Sequence, residues 1–478
     1  MSDNKTSRKD LFICFLVTTV TFMELLDATI LNTAVPKIAQ SLSIDVLNLK
    51  TAITVYLISL AIFLPISGWI AEKIGTRNTI VSATLLFTVS SLFCGFSSNL
   101  TELVIARIFQ GMGASLMTPV CRLIIVNTIS KENLQDAAGL VSIPITFGPL
   151  LGPLLGGFIV TNYHWSWIFF INVPVGIMAS ILMWSFLPNQ KSSSVPPFDW
   201  KGFILAGTGL ALLNFAVENS ENPFFTSLML ALMIGAGIIS LSCLMFYLRR
   251  AVNPVIDLNL FRYGTFRHGI ILTVLGFITT GAIPLILCIL FQNLFGLSPL
   301  ASGLISFSAA LGSVFIKPHI GRLVNKFTYK TLLLAYPVIM TLAIFFFTCV
   351  THTTPRLVIC TVLFIYGMAF SIHMNMMNVI PFLELGNTTE NARATSLVST
   401  VQQFCLSLGV SLGILILDTV LDRNGIKEVK NVIDPVLGLK SFHITFVIIG
   451  ILSVALILLN SRFNYKPSKD FKVSSMSH

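Results

Sequence analysis

Two carboxylates, Glu24 and Asp27, lie three residues apart inside an apolar stretch that begins at Leu11. A charge at the centre of a bilayer costs at least about 2.5 kcal/mol, so such residues normally face a cavity or a partner. At positions i and i+3 the two side chains share one helix face. Burial and mutual repulsion both disfavour their ionisation, which suits a group that holds a proton near neutral pH. The pair predicts proton handling at Asp27 with Glu24 beside it, or else a carboxylate bound to arginine for structure.

Arg107 and Arg122 are basic residues inside another apolar stretch, 102–126. A buried guanidinium must be paired or hydrogen-bonded, so Arg107 is the natural counter-charge for the carboxylates. We expect it to respond to their protonation, the alternative being that it only binds carbonyl groups. Arg122, nearer the end of the stretch, either attracts an anionic cargo or extends towards the membrane interface.

A further set of side chains is predicted to line a substrate cavity: Asn32, Gln110, Met117, Arg122, His373 and Asn375. His373 could titrate near neutral pH, although a lone histidine in an apolar helix is more often a packing residue. Methionine and phenylalanine around it would suit an adaptable apolar cavity, and they would equally suit contact with lipid.

The composition indicates that membrane-spanning helices must position these residues. Hydrophobic residues form 54% of the 478-residue chain, and charged residues form only 10%. Soluble proteins carry about 25% charged residues, so the chain is predicted to be an all-α, multi-pass membrane protein. Apolar runs separated by turn formers predict fourteen spans, near 11–33, 51–71, 78–97, 102–126, 137–161, 165–187, 202–217, 225–248, 268–292, 299–316, 331–350, 357–380, 394–417 and 441–461. The span 202–217 is the shortest.

The net charge of +10 is explained by orientation rather than by binding to nucleic acid. With the amino terminus in the cytoplasm, 21 Lys and Arg residues fall in cytoplasmic segments and 7 in external ones. Basic residues prefer the cytoplasmic side, so both termini are predicted to be cytoplasmic. The long first apolar run does not resemble a cleaved signal peptide.

Two segments with similar patterns suggest an internal repeat. "GWIAEKIGTRN" (68–78) follows span 2, and "GRLVNKFTYK" (321–330) follows span 10. Each begins with a glycine that we expect at a helix end, which predicts two six-helix bundles around a two-helix insert. The predicted divisions are 1–187 for the first bundle, 188–263 for the insert with its linkers, 264–463 for the second bundle and 464–478 for a cytoplasmic tail.

Two backbone motifs predict moving parts. In the first of the repeated segments, Gly68 and Gly75 are expected to form tight turns, and Glu72 and Arg77 could form a salt bridge only when that face is closed. Simple solvation of these charges is the alternative. A run of glycine and proline in span 5 is expected to kink that helix and to permit close packing, as a seam between rocking halves: Gly148, Pro149, Gly152, Pro153, Gly156 and Gly157.

These motifs resemble those of the major facilitator superfamily, in its fourteen-span drug:proton antiporter branch of the EmrB/QacA type. "LDATILNTAVPKI" (26–38) is similar to that branch's span 1 signature, and "ARIFQGMGASLMTPV" (106–120) to its span 4 motif with a buried arginine. "GPLLGPLLGG" (148–157) resembles the span 5 motif of antiporters, and "HWSWIFFINVPVGI" (164–177) its entry to span 6. Within the branch the chain resembles most the bacterial MdtD-type proteins. The resemblance is highly specific for the fold and of low specificity for the transported substrate.

The sequence therefore predicts a proton-driven exporter of the bacterial inner membrane, a substrate:proton antiporter that carries drugs or other amphipathic small molecules by alternating access. The alternatives are a dedicated exporter of one metabolite such as an organic acid, siderophore or amino acid, a proton-coupled importer, and a membrane sensor. We expect a monomer whose partners are cargo, protons and lipid.

Enzyme chemistry is not predicted. The sequence has no pair of nucleotide-binding motifs, no G-x-S-x-G and no metal-spaced cluster, so we expect no ATP use, no cofactor, no metal and no catalytic residue. The eight cysteines lie in the spans without C-x-x-C spacing, which is typical of small apolar packing residues rather than disulfides.

Overall fold

The computed structural model describes residues 8–128, 134–192, 195–220, 225–251, 254–327, 329–385, 388–426 and 435–462. All regular secondary structure in these ranges is helical. The α-helices are α1 (Arg8–Ser41), α2 (Lys50–Phe63), α3 (Ser67–Ile74), α4 (Thr76–Phe96), α5 (Leu100–Thr128), α6 (Leu134–Asn162), α7 (Trp167–Phe170), α8 (Asn172–Phe186), α9 (Trp200–Glu218), α10 (Ser227–Leu248), α11 (Gly264–Thr280), α12 (Ile283–Ile289), α13 (Pro299–Lys326), α14 (Tyr329–Phe346), α15 (Arg356–Val379), α16 (Thr388–Arg423) and α17 (Pro435–Ser461).

The expectation of about fourteen spans is confirmed. In the described residues, 13 helical segments are long and apolar enough to cross a membrane, and Phe147–Asn162 within α6 is a shorter apolar helix that supplies another. Helices α2 and α3 form one span through a short 3₁₀ turn, and α7 with α8, and α11 with α12, likewise combine into single spans. The shortest predicted span is present as α9, which begins after Asp199, whose carboxylate accepts the Gly202 N–H at 2.9 Å as an N-cap.

Several span ends differ from the sequence prediction. Span 10 was expected over 299–316 and span 13 over 394–417, but α13 runs to Lys326 and α16 covers Thr388–Arg423. Helices continue beyond the apolar core because intrahelical hydrogen bonds satisfy the backbone on either side of the interface, whereas hydropathy reports only the core. Basic residues assigned to loops, such as Arg322 and Arg423, therefore belong to helix ends.

The expected glycine turns are half right. Gly68 lies inside α3 and Gly321 inside α13, so the prediction that these glycines end helices is wrong. Neither glycine has the positive φ that would stop its helix, and each helix therefore continues through it. The turn is at Gly75, whose φ of +101° is a backbone conformation reserved for glycine, and it separates α3 from α4.

The spans form the two six-helix bundles and two-helix insert of the predicted fold. Helices α1 to α8 make the first bundle, α11 to α17 the second, and α9 and α10 the insert. Helix α6 packs on α13, and α2 packs on α16, so these pairs join the bundles. Helix α9 contacts both α2 and α16, whereas α10 packs mainly on α9 and leaves most of its side chains exposed.

The helices run between two faces of the molecule. The near face is the side on which α1 begins, at Arg8, and the far face is the side on which α1 ends, at Ser41.

Candidate functional site

The centre of the first bundle contains a buried ion pair. Arg107 Nη1 of α5 lies 2.6 Å from Asp27 Oδ2 of α1, and both side chains are at most 1% exposed. A single charge here would be strongly destabilising, and each residue supplies the charge that the other needs. The expected pairing of the span 1 carboxylate with the span 4 arginine is therefore present.

Two amides complete the bonding of the Asp27 carboxylate. Gln110 Nε2 donates to Oδ1 at 3.0 Å, and Asn172 Nδ2 of α8 donates to the same oxygen at 3.1 Å. Gln110 Oε1 also accepts from Arg107 Nη1 at 2.8 Å. Asn172 in turn donates to Ser91 Oγ of α4 at 3.1 Å. Both carboxylate oxygens are thus bonded by charged or amide donors, so each oxygen of this buried carboxylate has a hydrogen-bond partner.

The guanidinium of Arg107 is held on its other side by α2. Its Nε donates to the Ala52 carbonyl at 3.1 Å, and its Cζ lies 4.1 Å from the centre of the Tyr56 ring. The Phe169 ring of α7 is 5.9 Å away. Hydrogen bonds and aromatic faces together desolvate and orient the charge, so the ion pair is the point at which the first bundle's spans converge.

Glycines of the span 4 motif bring the helices to this distance. A Cβ on Gly111 would lie 2.5 Å from the Tyr56 carbonyl oxygen of α2, and one on Gly113 would lie 2.8 Å from the Phe87 nitrogen of α4. Only a residue without a side chain permits both approaches. The motif therefore positions Arg107 through packing as well as through sequence spacing.

Glu24 has a different environment from Asp27. Its Oε2 accepts one hydrogen bond, from Thr118 Oγ1 of α5 at 2.7 Å, and 7% of the residue is exposed. Beside Thr118 a narrow cleft opens between α1 and α5, lined by Val17, Thr18, Thr21, Thr118, Cys121, Arg122 and Ile125. Glu24 lies about 4.5 Å nearer than Asp27 to the near face, at about 1.5 Å rise per residue. Of the two carboxylates, Glu24 is the one hydrogen-bonded to a residue that lines this cleft.

The predicted cavity residues are not brought together in this conformation. Gln110 is fully buried in the ion-pair network, and Met117 is fully buried in the core beside it. Arg122 is exposed at the cleft, and Asn32 and Asn375 are partly buried on different bundles.

His373 lies in the second bundle and is also fully buried. Its ring centre is 5.0 Å from that of Tyr336 and 6.3 to 6.5 Å from those of Phe370 and Phe277. Neither ring nitrogen has a hydrogen-bond partner among the described residues. This environment is that of a packing side chain rather than of a proton carrier.

The glycines of the span 5 motif pack on the segment of α1 that carries Asp27. A Cβ on Gly148 would lie 2.8 Å from Leu25 Cβ, and one on Gly152 would overlap Thr29. One on Gly156 would overlap Thr33. On the other side of α6, a Cβ on Gly157 would lie 2.6 Å from the Pro299 carbonyl oxygen of α13, in the opposite bundle.

The prolines of the same motif lie on α6 as well. The Pro153 carbonyl faces Gly303 of α13, and Pro149 occupies the preceding turn of the helix. The run thus borders both α1 and the second bundle.

The segment after span 2 holds its charges apart. Glu72 is exposed, and its carbonyl accepts the Ser192 N–H at 3.1 Å. The guanidinium of Arg77 stacks 4.6 Å from the centre of the Trp184 ring. The two residues do not form an ion pair here, and Glu72 and Arg77 each contact other elements of the first bundle or its linker.

Hydrogen bonds between the bundles lie towards the far face. Gln292 Nε2 donates to the Thr33 carbonyl at 2.9 Å, and the Leu300 N–H donates to Thr161 Oγ1 at 3.1 Å. Residues 33 and 161 belong to the far-face halves of α1 and α6, and Leu300 begins α13 there. In this structure the far face is closed by contacts between the bundles.

Sequence reasoning missed several members of the network. Asn172, Ser91 and Tyr56 were not singled out, although Asn172 stands in the quoted span 6 stretch "INVP". An amide in an apolar span is costly without partners, and that cost was the available signal.

The fold and site together define a multi-pass membrane transporter with two bundles and a charged centre in the first. The family model described as Major Facilitator Superfamily matches residues 17–414, and the chain belongs to that family.

The chain is also similar to curated proteins of enterobacteria. The protein MdtD of Escherichia coli O6:H1, whose given name refers to multidrug resistance, is 36% identical over 400 residues, which cover 83% of this chain and 84% of that protein. The protein of the same name from Shigella flexneri serotype 5b has the same identity and coverage.

Solved structures share the fold at low identity. A D-xylose–proton symporter has a TM-score of 0.66 at 15% identity, covering 95% of this chain and 98% of the symporter. A bacterial homologue of the human lysosomal transporter Spinster, inward-facing and unoccupied, has a TM-score of 0.64 at 13% identity, covering 97% and 100%.

Proposed function

We propose that this transporter is a proton-coupled exporter of the bacterial inner membrane, a substrate:proton antiporter that carries drugs or other amphipathic small molecules. The observation that carries the proposal is the pair of span 1 carboxylates in unlike environments. Asp27 is paired with Arg107, and Glu24 is held by one hydroxyl beside a cleft. The MdtD relatives support the multidrug part of the proposal. We expect a monomer that works without a cofactor, driven by the proton gradient.

In the proposed orientation the near face is cytoplasmic and both termini lie there. The bias of basic residues supports this assignment. Because the bundles are hydrogen-bonded at the far face, the structure corresponds to a state closed to the exterior. Helix pairs α6–α13 and α2–α16 are the surfaces on which the bundles would rock.

The two carboxylates take successive parts in proton movement. When the far face opens, a proton from outside binds Asp27 and neutralises it, so that Arg107 loses its ion-pair partner. The proton then passes to Glu24, one helical turn towards the cytoplasm, and leaves through the cleft as Asp27 binds Arg107 again. Cargo moves outward in the opposite half of the cycle. The coupling is the differential stability of the two conformations with Asp27 charged or neutral.

Glu72 and Arg77 have a conditional role in this cycle. We expect them to approach each other only when the near face closes, with Gly75 as the turn between their helices. The glycines of α6 serve as the close-packed seam that keeps α1 against the moving interface.

The test is proton-driven transport in proteoliposomes with an imposed pH gradient. A lumenal pH-sensitive dye reports proton flux as amphipathic compounds are added one at a time. Asp27→Asn resembles the protonated form, and we expect it to bind cargo without pumping it against a gradient. Glu24→Gln is expected to slow proton release and to shift the pH profile of transport without abolishing it.

Glu102→Gln is the matched control, because Glu102 is an exposed carboxylate at the start of α5, away from the ion pair. It should transport as the wild type does. Pumping at the wild-type rate by Asp27→Asn would show that span 1 carries no obligatory proton. Loss of pumping in Glu24→Gln alone would assign the coupling to Glu24.

Arg122 favours a second candidate, the dedicated export of an anionic metabolite. Its guanidinium is exposed at the cleft next to Thr118, where a carboxylate cargo would be attracted. The same proteoliposomes distinguish the candidates when they are offered di- and tricarboxylates beside cationic dyes. If only the carboxylates drive proton flux, and Arg122→Gln removes that flux, the metabolite exporter is the better description.

A further inference from the structure

A buried carboxylate of the insert lies between the two bundles. Glu218, the last residue of α9, is 7% exposed. Thr51 Oγ1 of α2 donates to its Oε1 at 2.9 Å, and Ser411 Oγ of α16 donates to its Oε2 at 2.6 Å. One oxygen thus binds the first bundle and the other binds the second.

A second polar layer lies one helical turn away on the same three helices. Asn214 Nδ2 of α9 donates to Ser407 Oγ of α16 at 3.0 Å, and Ser407 Oγ donates to the Thr54 carbonyl of α2 at 3.0 Å. Asn214, Ser407 and Thr54 are at most 4% exposed. The hydroxyl proton and the amide proton both have acceptors, so the layer is satisfied by members of all three helices.

The spacing of these residues matches the helix repeat. Asn214 and Glu218 are four residues apart on α9, as are Ser407 and Ser411 on α16. Each pair therefore lies on one face of its helix, and the two faces meet at two hydrogen-bonded layers one turn apart. A polar face at this spacing in a membrane helix is costly unless partners are supplied, which indicates that the contact is specific.

The contact lies where alternating access requires movement. Helices α2 and α16 belong to opposite bundles, and their far-face halves must separate when the exterior face opens. The two hydrogen bonds of Glu218 cannot then be kept at the same time, because the hydroxyls of Thr51 and Ser411 move apart with the bundles. Opening breaks at least one hydrogen bond to Glu218 that only the closed state makes, so the contact favours the closed state.

We propose that Glu218 is a positioning residue through which the insert takes part in transport: it bridges Thr51 and Ser411 and holds the far face closed. The insert is thereby a brace for one conformation, and α10 faces lipid behind it. This inference rests on the alternating-access part of the proposed function and is independent of cargo and of protons.

Hydrogen–deuterium exchange of the full chain in nanodiscs, without cargo or gradient, tests the proposal. Glu218→Ala removes both bonds, and we expect exchange to increase in the far-face halves of α2 and α16. Exchange should decrease at the same time on the near face, in α3 and at the end of α13. An increase of about tenfold in the far-open population would correspond to ~1.4 kcal/mol. The opposite changes at the two faces distinguish a shift between conformations from local loosening.

Thr208→Val is the matched control on the same helix. Thr208 Oγ1 hydrogen-bonds Ser240 Oγ of α10 at 2.9 Å, inside the insert, and its loss should leave exchange in both bundles unchanged. Glu218→Gln keeps a side chain that can bond both hydroxyls, and it should shift exchange less than Glu218→Ala does.

Three results would overturn the proposal. They are wild-type exchange in Glu218→Ala, an increase on the far face without a decrease on the near face, and an equal shift in Thr208→Val. Because the measurement uses neither cargo nor a gradient, a failure of proton coupling in the transport assay would leave it unaffected.

Discussion

The two bundles share a fold and differ in what their centres contain. In the first, Asp27 and Arg107 form a buried ion pair with amide partners. In the described part of the second, no Asp, Glu, Lys or Arg is buried, and His373 packs among aromatic rings. Some polar groups there bond to neighbouring helices, as where Asn460 Nδ2 donates to the Leu333 carbonyl at 2.6 Å. A membrane protein bears the cost of buried charge only where it serves a purpose, so the first bundle is where coupling is expected.

Packing, in contrast, is shared between the bundles. In the first, Gly152 and Gly156 of α6 lie against α1. In the second, Gly409 and Gly413 of α16 lie against α11 and the start of α12, again four residues apart. Spans 5 and 13 therefore approach spans 1 and 9 in the same way. The comparison separates the architecture, which both halves need, from the charge, which only one carries.

The largest expected effect comes from breaking the ion pair. Arg107→Ala leaves the Asp27 carboxylate buried without its counter-charge, and we expect a loss of about 3–5 kcal/mol in stability. Thermal unfolding in detergent measures it. Arg122→Ala, which removes an exposed arginine from the same helix, is the control and should change the midpoint little. Equal midpoints for both variants would mean that the ion pair contributes no more than a surface charge.

Shared packing predicts equal penalties in the two bundles. Gly152→Leu and Gly409→Leu should each destabilise by about 1–3 kcal/mol through overpacking, and both should impair transport. Gly235→Leu in α10 is the control, because no atom lies within 4 Å of the position that a Cβ would take there. Stability and transport are compared at equal density in proteoliposomes. Damage from Gly152→Leu alone would show that the packing is specialised in the first bundle.

Because the centre of the second bundle is uncharged, we expect a substitution there to change stability little, and in the direction opposite to that of Arg107→Ala. His373→Leu replaces a buried ring, whose two nitrogens have no partner among the described residues, by an apolar side chain of similar size. Removal of unsatisfied polar atoms should leave stability unchanged or raise it by about 1 kcal/mol. The pH profile of transport should not move. A shifted pH profile in a well-folded His373→Leu protein would place a titrating group in the second bundle. The difference between a charged first bundle and an uncharged second one would then be wrong.

The smallest effect concerns a second ion pair, in which only the arginine is exposed to solvent. Asp257, in the linker after the insert, accepts from Arg393 Nη1 at 2.9 Å. Burial alone would raise the pKa of Asp257, but hydrogen bonds from Arg393 and the Asn259 N–H outweigh it and hold the pKa below its ordinary value. The contribution to stability is therefore present above the unfolded pKa of about 4 and is lost as the pH falls through the lower folded value.

Arg393 is half exposed, so Asp257→Asn should cost less than about 1 kcal/mol at pH 7. The difference between wild type and variant should shrink as the pH falls below about 4, which unfolding midpoints measured from pH 7 to about pH 2 would reveal. A difference that did not shrink over this range would assign the effect to packing rather than to the ion pair.

Local patterns were sufficient for the helices and for half of the site. Apolar runs of about 20 residues predicted the spans, including the short α9, because the bilayer requires each span to satisfy its own backbone. The Asp27–Arg107 pairing was predictable because two lone opposite charges in membrane helices need each other. Span ends were not predictable, since α13 and α16 continue past the apolar core as ordinary helices.

Contacts between distant spans needed the tertiary structure. Asn172 is 145 residues from Asp27, and Glu218 is 193 from Ser411. A polar residue in a membrane span predicts that a hydrogen-bond partner exists. Which residue that partner is depends on the rotation and crossing of the helices. His373 shows the reverse case, in which a titratable side chain with a suggestive position packs among rings.

The sequence by itself determined that the chain crosses the membrane about fourteen times, that it has the major facilitator fold, and that spans 1 and 4 carry opposite buried charges. The spans and the opposite charges follow from hydropathy and charge, which act along the chain, and the fold follows from the resemblance of its motifs to those of the family. The tertiary structure alone decided that both oxygens of Asp27 are bonded while Glu24 is bonded to Thr118 at a cleft, and that the insert bridges both bundles through Glu218. Those features depend on which helix faces meet, and the energy of a buried polar group is set by the partners that this meeting supplies.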